Sequence, residues 1–420
     1  MMIKPASSLC NMNCSYCFYH ETAQGRAVPS YGIMPQGSIP GILANMFKDL
    51  DPGDELNIAF QGGEPTLAGL DWFQYVTGEA EKLRGEVKVN YALQTNGLLI
   101  DRAWGDFLAE HRFLTGLSLD LLRGIHDTHR RTSAGVPTWK RVIMTRDILE
   151  EAGTEYNILS VLTNGLAAEP DKAWRAILSL GIRYIQFIPC LGPPGPNQSN
   201  QSNQQQIWSN QSDRLDQSGQ SNQSNQSNHQ QIWSNQSDRL DQSSQSNQPN
   251  QSNHQQIRSN QSDRLDHSAL RPARFARFYT RLFQLWRAHG DPALSIKLFD
   301  DTAALFFDGI PGICGAGGRC HLQYVVEADG GVYPCDFFMD DQHRTGNLNA
   351  NSLREIFNSP GVQAFLHGAP EPPAYCQKCP YFGPCGGGCK RLRGSMYYQD
   401  PSPICGYREF LEEFLKITDR

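Results

Sequence analysis

Residues 10–19 read Cys10-Asn11-Met12-Asn13-Cys14-Ser15-Tyr16-Cys17-Phe18-Tyr19. Three thiolates in a Cys-x3-Cys-x2-Cys spacing suffice to hold three irons of a 4Fe-4S cubane. The fourth iron is then open to a ligand that is not a cysteine. Zinc competes for close cysteines, but structural zinc usually takes four protein ligands. The pattern downstream of the triplet decides the fold. Strand-like runs at 55–60, 87–94, 113–119, 155–162 and 184–188 alternate with helical spacing at 70–83, 102–110, 138–152 and 171–180. Such alternation gives parallel strands with helical crossovers. Five or six units are visible rather than eight, so the expected fold is α/β, a partial (β/α)6 barrel of the TIM type.

A chain of 420 residues exceeds one ordinary core and suits two or three domains. Its net charge of -6 gives no support for a nucleic-acid partner, which usually needs a basic face. No apolar run reaches the ~18 residues of a membrane span. Met1-Met2-Ile3-Lys4-Pro5 lacks the apolar core of a secretory signal, so a cytoplasmic protein is expected. In a reducing compartment, 12 cysteines point to metal rather than disulfides.

Residues 193–268 are dominated by Asn, Gln and Ser. A motif beginning Gln-Ile-Trp-Ser-Asn starts at Gln206 and again at Gln231, and a close copy with Arg258 in place of Trp starts at Gln256. Each repeat offers too little apolar surface to offset chain entropy. This stretch reads as a disordered insertion at a loop tip with no catalytic role. An amphipathic helix is expected over 271–289. From Cys314 onward the chain is rich in Gly, Cys and Pro, as in a small domain held by metal. The expected organisation is a barrel over 1–192, the insertion over 193–268, a helical barrel end and connector over 269–309, and a Cys-rich domain with a C-terminal helix over 310–420.

Several polar groups fall at the C-terminal ends of expected strands, where barrels bind ligands. Gln61-Gly62-Gly63-Glu64-Pro65 is an ordinary turn by itself. Downstream of a cysteine triplet it suits backbone approach to an ammonium group. Gln94-Thr95-Asn96-Gly97, Ser118 and Asp120 end the next strands, followed by His126 and Arg130. Arg130 suits a bidentate contact with a carboxylate. Cys314, Cys320 and Cys335, with Cys376, Cys379, Cys385, Cys389 and Cys405, supply eight thiolates, enough for two four-thiolate sites. Zinc is the alternative occupant of each. Asp336 follows Cys335 and precedes Phe337-Phe338, a setting in which burial tunes a carboxylate as a general base.

These stretches resemble a known family. Lys4-Pro5-Ala6-Ser7-Ser8, the triplet, Phe18-Tyr19-His20, Ser30-Tyr31-Gly32-Ile33-Met34, residues 60–69, Leu93-Gln94-Thr95-Asn96-Gly97 and residues 332–338 look like the anaerobic sulfatase-maturating enzymes. Those belong to the radical S-adenosylmethionine superfamily and carry a C-terminal SPASM domain. The resemblance covers the chain outside the insertion. It implies oxidation of a Cys or Ser of a sulfatase to Cα-formylglycine without oxygen, with three 4Fe-4S clusters and S-adenosyl-L-methionine. By the same resemblance, Cys10, Cys14 and Cys17 hold the first cluster. Cys314, Cys320, Cys335 and Cys389 hold one auxiliary cluster, and Cys376, Cys379, Cys385 and Cys405 the other. Cofactor contacts map to Tyr16, Tyr19, Gly63, Ser118, Arg130 and Leu191, and Asp336 to the base. Cys190 is left as a small buried hydrophobe.

The implied partners are an unfolded or nascent sulfatase polypeptide and a low-potential electron donor such as flavodoxin or ferredoxin, with no nucleic acid and no membrane. The chain departs from the family at Leu121-Leu122, where Gly-Pro is usual, and in the insertion. Two rival readings remain at this level. One is a SPASM enzyme that forms thioethers or epimerises residues in a ribosomal peptide. The other is a non-catalytic zinc or iron–sulfur scaffold that binds partners through the insertion.

Overall fold

A computed structural model describes residues 1–192, 268–312, 314–368, 371–398 and 404–417. The Asn/Gln/Ser-rich insertion lies outside the described residues, apart from Ser268. Ten strands form one sheet: β1 (Met2–Ile3), β2 (Glu55–Phe60), β3 (Lys88–Thr95), β4 (Leu114–Ser118), β5 (Tyr156–Leu162), β6 (Tyr184–Pro189), β7 (Ser295–Ile296), β8 (Val325–Val326), β9 (Gly331–Tyr333) and β10 (Gly346–Asn347). Their order is β10-β9-β8-β1-β2-β3-β4-β5-β6-β7. From β8 through β7 every pair is parallel, and β9 and β10 are added antiparallel.

The parallel part is the expected β/α array. Helices α1 (Phe18–Gln24), α2 (Ile39–Phe47), α3 (Leu70–Leu83), α4 (Arg102–Glu110), α5 (Arg123–His129), α6 (Trp139–Ala152) and α7 (Pro170–Ser179) fall between its strands. Local chemistry sets several ends. The Asp101 carboxylate caps α4 at the Trp104 amide, and Gly153 ends α6 in the left-handed conformation. The long amphipathic helix α8 (Pro272–His289) buries Phe275, Phe278, Tyr279, Leu282 and Phe283. Tyr279 and Phe283 meet Phe299 and Phe410, the latter on the C-terminal helix Gly406–Phe414. Among the described residues no helix is long and apolar enough to cross a membrane.

The Cys-rich part does not form a sheet of its own. Met2 and Ile3 pair with Ala59 and Phe60 on one side and with Val325 and Val326 on the other. A buried ion cluster reinforces this seam. Lys4 Nζ lies 3.3 Å and Arg26 Nη1 2.6 Å from Glu327 Oε1, with all three side chains almost fully buried. Burial alone would raise the Glu327 carboxyl, but Lys4 and Arg26 outweigh it and hold it below its ordinary value. Removing the charge leaves two buried cations unpaired, so Glu327→Gln should cost ~3–5 kcal/mol. The carboxylate's contribution is present above the ordinary Glu value of ~4.3 and lost as pH falls through its lower folded value. Thermal melts against pH should show a lower midpoint for the variant and a flatter acid limb. A wild-type-like melt at neutral pH would remove the seam's role in stability.

Candidate active site and cysteine clusters

The rim at the C-terminal ends of β1 to β6 collects the polar residues. The loop carrying Cys10, Cys14 and Cys17 follows β1 and is buttressed on two sides. On one side is the Gly-Gly turn after β2. Gly63 has φ +56, and a Cβ there would sit 2.3 Å from the Leu9 carbonyl oxygen. A Cβ on Gly62 would sit 2.3 Å from Lys4 Cε. These glycines are therefore required for packing against the cysteine loop and its approach, whatever else they contact. The Glu64 amide donates to the Leu9 carbonyl at 2.8 Å. The buried Glu64 carboxylate accepts from Thr66 Oγ1, Thr95 Oγ1 and the Asn96 amide, tying β2 to β3. On the other side, residues 129–133 run antiparallel to the loop. Met12 bridges Thr132, the Asn13 amide donates to Arg131, and the Ser15 amide donates to His129. Ser15 Oγ also lies 2.7 Å from His129 Nδ1.

The residues expected to contact a cofactor divide between two neighbourhoods. Tyr16 donates to Asp120 Oδ2 at 2.6 Å and accepts from Arg130 Nη1 at 3.2 Å. Arg130 is buried rather than solvated, and its Nε has no hydrogen-bond partner. Ser118 Oγ accepts from Gln94 Nε2 at 2.9 Å, and Leu191 is buried just beyond β6. His126 is structural. Its Nδ1 faces the Asp120 amide and its Nε2 faces Thr138 Oγ1, and burial lowers it to about 3. The Leu121-Leu122 turn forms without Gly-Pro: Leu121 is buried in the core and Leu122 is extended ahead of α5.

Tyr19 belongs to the second neighbourhood. Its hydroxyl donates to Asp336 Oδ2, and Gln61 Nε2 donates to Tyr19 Oη at 2.9 Å and to Asp336 Oδ2 at 3.2 Å. Asp336 is 6% exposed, and its Oδ1 is buried with no partner. Burial pushes this carboxyl up to about 6, against the Tyr19 and Gln61 hydrogen bonds and the Lys4 charge. Lys4 sits 4.8 Å over the Tyr19 ring. One oxygen of Asp336 is thus fixed by two donors while the other is free to take a proton. Among the buried side-chain atoms without a partner, Arg130 Nε lies in the first neighbourhood and Asp336 Oδ1 in the second, each able to pair with a bound group.

The thiols fall into three sets by mutual electrostatic influence. Cys10, Cys14 and Cys17 act on one another. Cys389 acts on Cys314, Cys320 and Cys335. Cys379 and Cys405 both act on Cys376 and on Cys385. Among the described residues no three His, Cys, Asp or Glu groups converge on one ion. Glycine makes the second set possible. A Cβ on Gly315 would lie 2.7 Å from the Cys389 amide nitrogen, and one on Gly386 would lie 2.0 Å from the Gly317 carbonyl carbon. The Cys314–Cys320 and Cys385–Cys389 loops thus interlock backbone to backbone.

Residues 5–181 match the family model of the radical SAM superfamily, and residues 314–380 match that of SPASM, an iron-sulfur cluster-binding domain. The chain is 31% identical to a cysteine-type anaerobic sulfatase-maturating enzyme of Clostridium perfringens (strain 13 / Type A), over 98% of this chain and 95% of that protein. It is 22% identical to a serine-type anaerobic sulfatase-maturating enzyme of Bacteroides thetaiotaomicron, over 99% of this chain and 91% of that one. A solved structure of native anSMEcpe with bound AdoMet and a Cp18Cys peptide superposes with a TM-score of 0.73 at 29% identity, covering 100% of this chain and 96% of that one. With full-length identity, both family models and the fold in agreement, the chain belongs to the anaerobic sulfatase-maturating enzymes, radical SAM proteins with a SPASM domain.

Proposed function

We propose that this chain oxidises a cysteine of a sulfatase polypeptide to Cα-formylglycine without oxygen. The observation that carries the reading is Asp336, a buried carboxylate with one oxygen clamped by Tyr19 and Gln61 and the other without a partner. Higher identity to cysteine-type than to serine-type relatives supports cysteine as the target. A peptide maturase is not favoured, because curated relatives that match 98–99% of the chain are sulfatase maturases.

In this reading Cys10, Cys14 and Cys17 hold one 4Fe-4S cluster. Cys314, Cys320, Cys335 and Cys389 hold a second, and Cys376, Cys379, Cys385 and Cys405 a third. Arg130 and Tyr16, with Gly63, Ser118, Tyr19 and Leu191, receive S-adenosylmethionine. When bound, these groups supply a radical that removes a hydrogen atom and a sink for one electron. The side chain therefore gives up one β-hydrogen atom, one thiol proton and one electron to become a thioaldehyde. Water then hydrolyses it to the aldehyde and releases hydrogen sulfide. Asp336 takes the thiol proton at Oδ1, and Tyr19 and Gln61 keep that oxygen facing the substrate. The division into 1–192, 193–268, 269–309 and 310–420 is part of the same reading, as is a low-potential donor of the flavodoxin or ferredoxin class.

Anaerobic incubation of the reconstituted chain with matched Cys- and Ser-containing sulfatase peptides tests this. Mass spectrometry should show the aldehyde on the Cys peptide. Product from the Ser peptide alone would overturn the cysteine assignment. No aldehyde on either, with the cofactor cleaved, would overturn the reaction.

A further inference from the structure

Lys390 follows the ligand candidate Cys389, and its charge has no place in the proposed reaction. Its ammonium lies 3.6 Å from the centroid of the Phe365 ring and 4.9 Å from that of Phe338, and donates to the Phe365 carbonyl at 3.4 Å. The two rings meet edge to face at 5.4 Å. Phe338 is itself tied to a ligand candidate, because its amide donates to the Cys335 carbonyl at 3.0 Å. The cation is therefore caged by two rings, one of them on the Cys335 turn, while its own backbone adjoins Cys389. Both anchors, Cys335 through the Phe338 turn and Cys389 through the adjoining peptide, belong to one auxiliary set.

We propose that Lys390 tunes the auxiliary cluster of Cys314, Cys320, Cys335 and Cys389, raising its reduction potential so that it, rather than its neighbour, accepts the electron. The proposal rests on the cluster assignment above. A four-thiolate cluster becomes more negative by one charge when it gains one electron. A half-buried cation caged beside the cluster stabilises that state. The competing role is a purely structural cation–π clip that holds the Cys335 turn.

Anaerobic redox titration followed by EPR separates the two on reconstituted wild type, K390M and K390R. Met keeps an unbranched apolar chain against the rings without the charge. Expected for K390M is full iron and one auxiliary signal moved to lower potential. At the wild-type midpoint its reduced-to-oxidised ratio should fall about tenfold, which is about 59 mV for a one-electron couple. The other two signals should stay in place, and K390R should return the shifted one. K390Q repeats the comparison should K390M not load. Fully loaded neutral variants with an unmoved midpoint would overturn the proposal, as would K390R behaving like K390M. Wild type loading iron only at the N-terminal triplet would instead overturn the cluster assignment itself.

Discussion

Asp336→Asn should leave cofactor cleavage intact and cut formylglycine formation by roughly 10²–10⁴-fold, the usual range for losing a positioned base. The variant keeps the shape of the side chain and an acceptor oxygen for Tyr19 and Gln61, so the fold around β9 has little reason to change. What it loses is the second carboxylate oxygen, buried and without a partner. Anaerobic assays that count 5′-deoxyadenosine and peptide aldehyde in the same tube separate the two outcomes. Wild-type aldehyde yield would remove Asp336 from proton transfer. Loss of both products would mean that Asp336 serves the cofactor site instead. The pH dependence has a definite sign. Burial raises the Asp336 carboxyl to about 6, and only the ionised form accepts a proton. Aldehyde formation should therefore fall as pH drops through about 6, while cofactor cleavage need not follow.

How far the sequence can be read depends on the range of the contacts. Strand β2 and helices α3 and α4 have the bounds that periodicity predicts, because each is a local pattern of adequate length. The proposed cysteine sets rest on resemblance where they interleave, because spacing does not separate Cys389 from its neighbour Cys385. Strands β1 and β8 are not legible. Each has two residues, too few for any alternation, and they pair across more than 300 positions of chain. The same distance hides the Lys4–Arg26–Glu327 cluster. Its one sequence signal is a Lys immediately after a short apolar start, which is not specific. In the sequence, Gly62 and Gly63 read as room for a ligand. The structure adds a prior need, since any side chain there would strike Lys4 or the cysteine loop. His129 carries no signal of its own beside Arg130, and only the fold brings it against Ser15.

Gly386→Ala tests the glycine interlock and should be the most damaging single methyl group in the Cys-rich part. Gly386 has φ +58, where a non-glycine residue costs about 1–2 kcal/mol. Its Cβ would also lie 2.0 Å from the carbonyl carbon of Gly317 and 2.1 Å from the Gly318 amide nitrogen. Both neighbours are backbone, so no rotamer change relieves the overlap and the two loops must part. Parting them moves Cys314 and Cys320 away from Cys389, while Cys385 is displaced within the other set. The variant should retain the iron of the N-terminal triplet and produce 5′-deoxyadenosine, yet lose auxiliary iron and with it aldehyde formation. Gly317→Ala is the internal control. Gly317 has φ +67 but open space where its Cβ would go, so it bears the conformational cost without the overlap. Iron content and Mössbauer spectra of the two variants distinguish them: auxiliary iron retained in Gly317→Ala and lost in Gly386→Ala assigns the effect to loop contact. Equal loss in both would assign it to backbone strain alone. Full iron in Gly386→Ala would show that the auxiliary sites do not depend on the interlock.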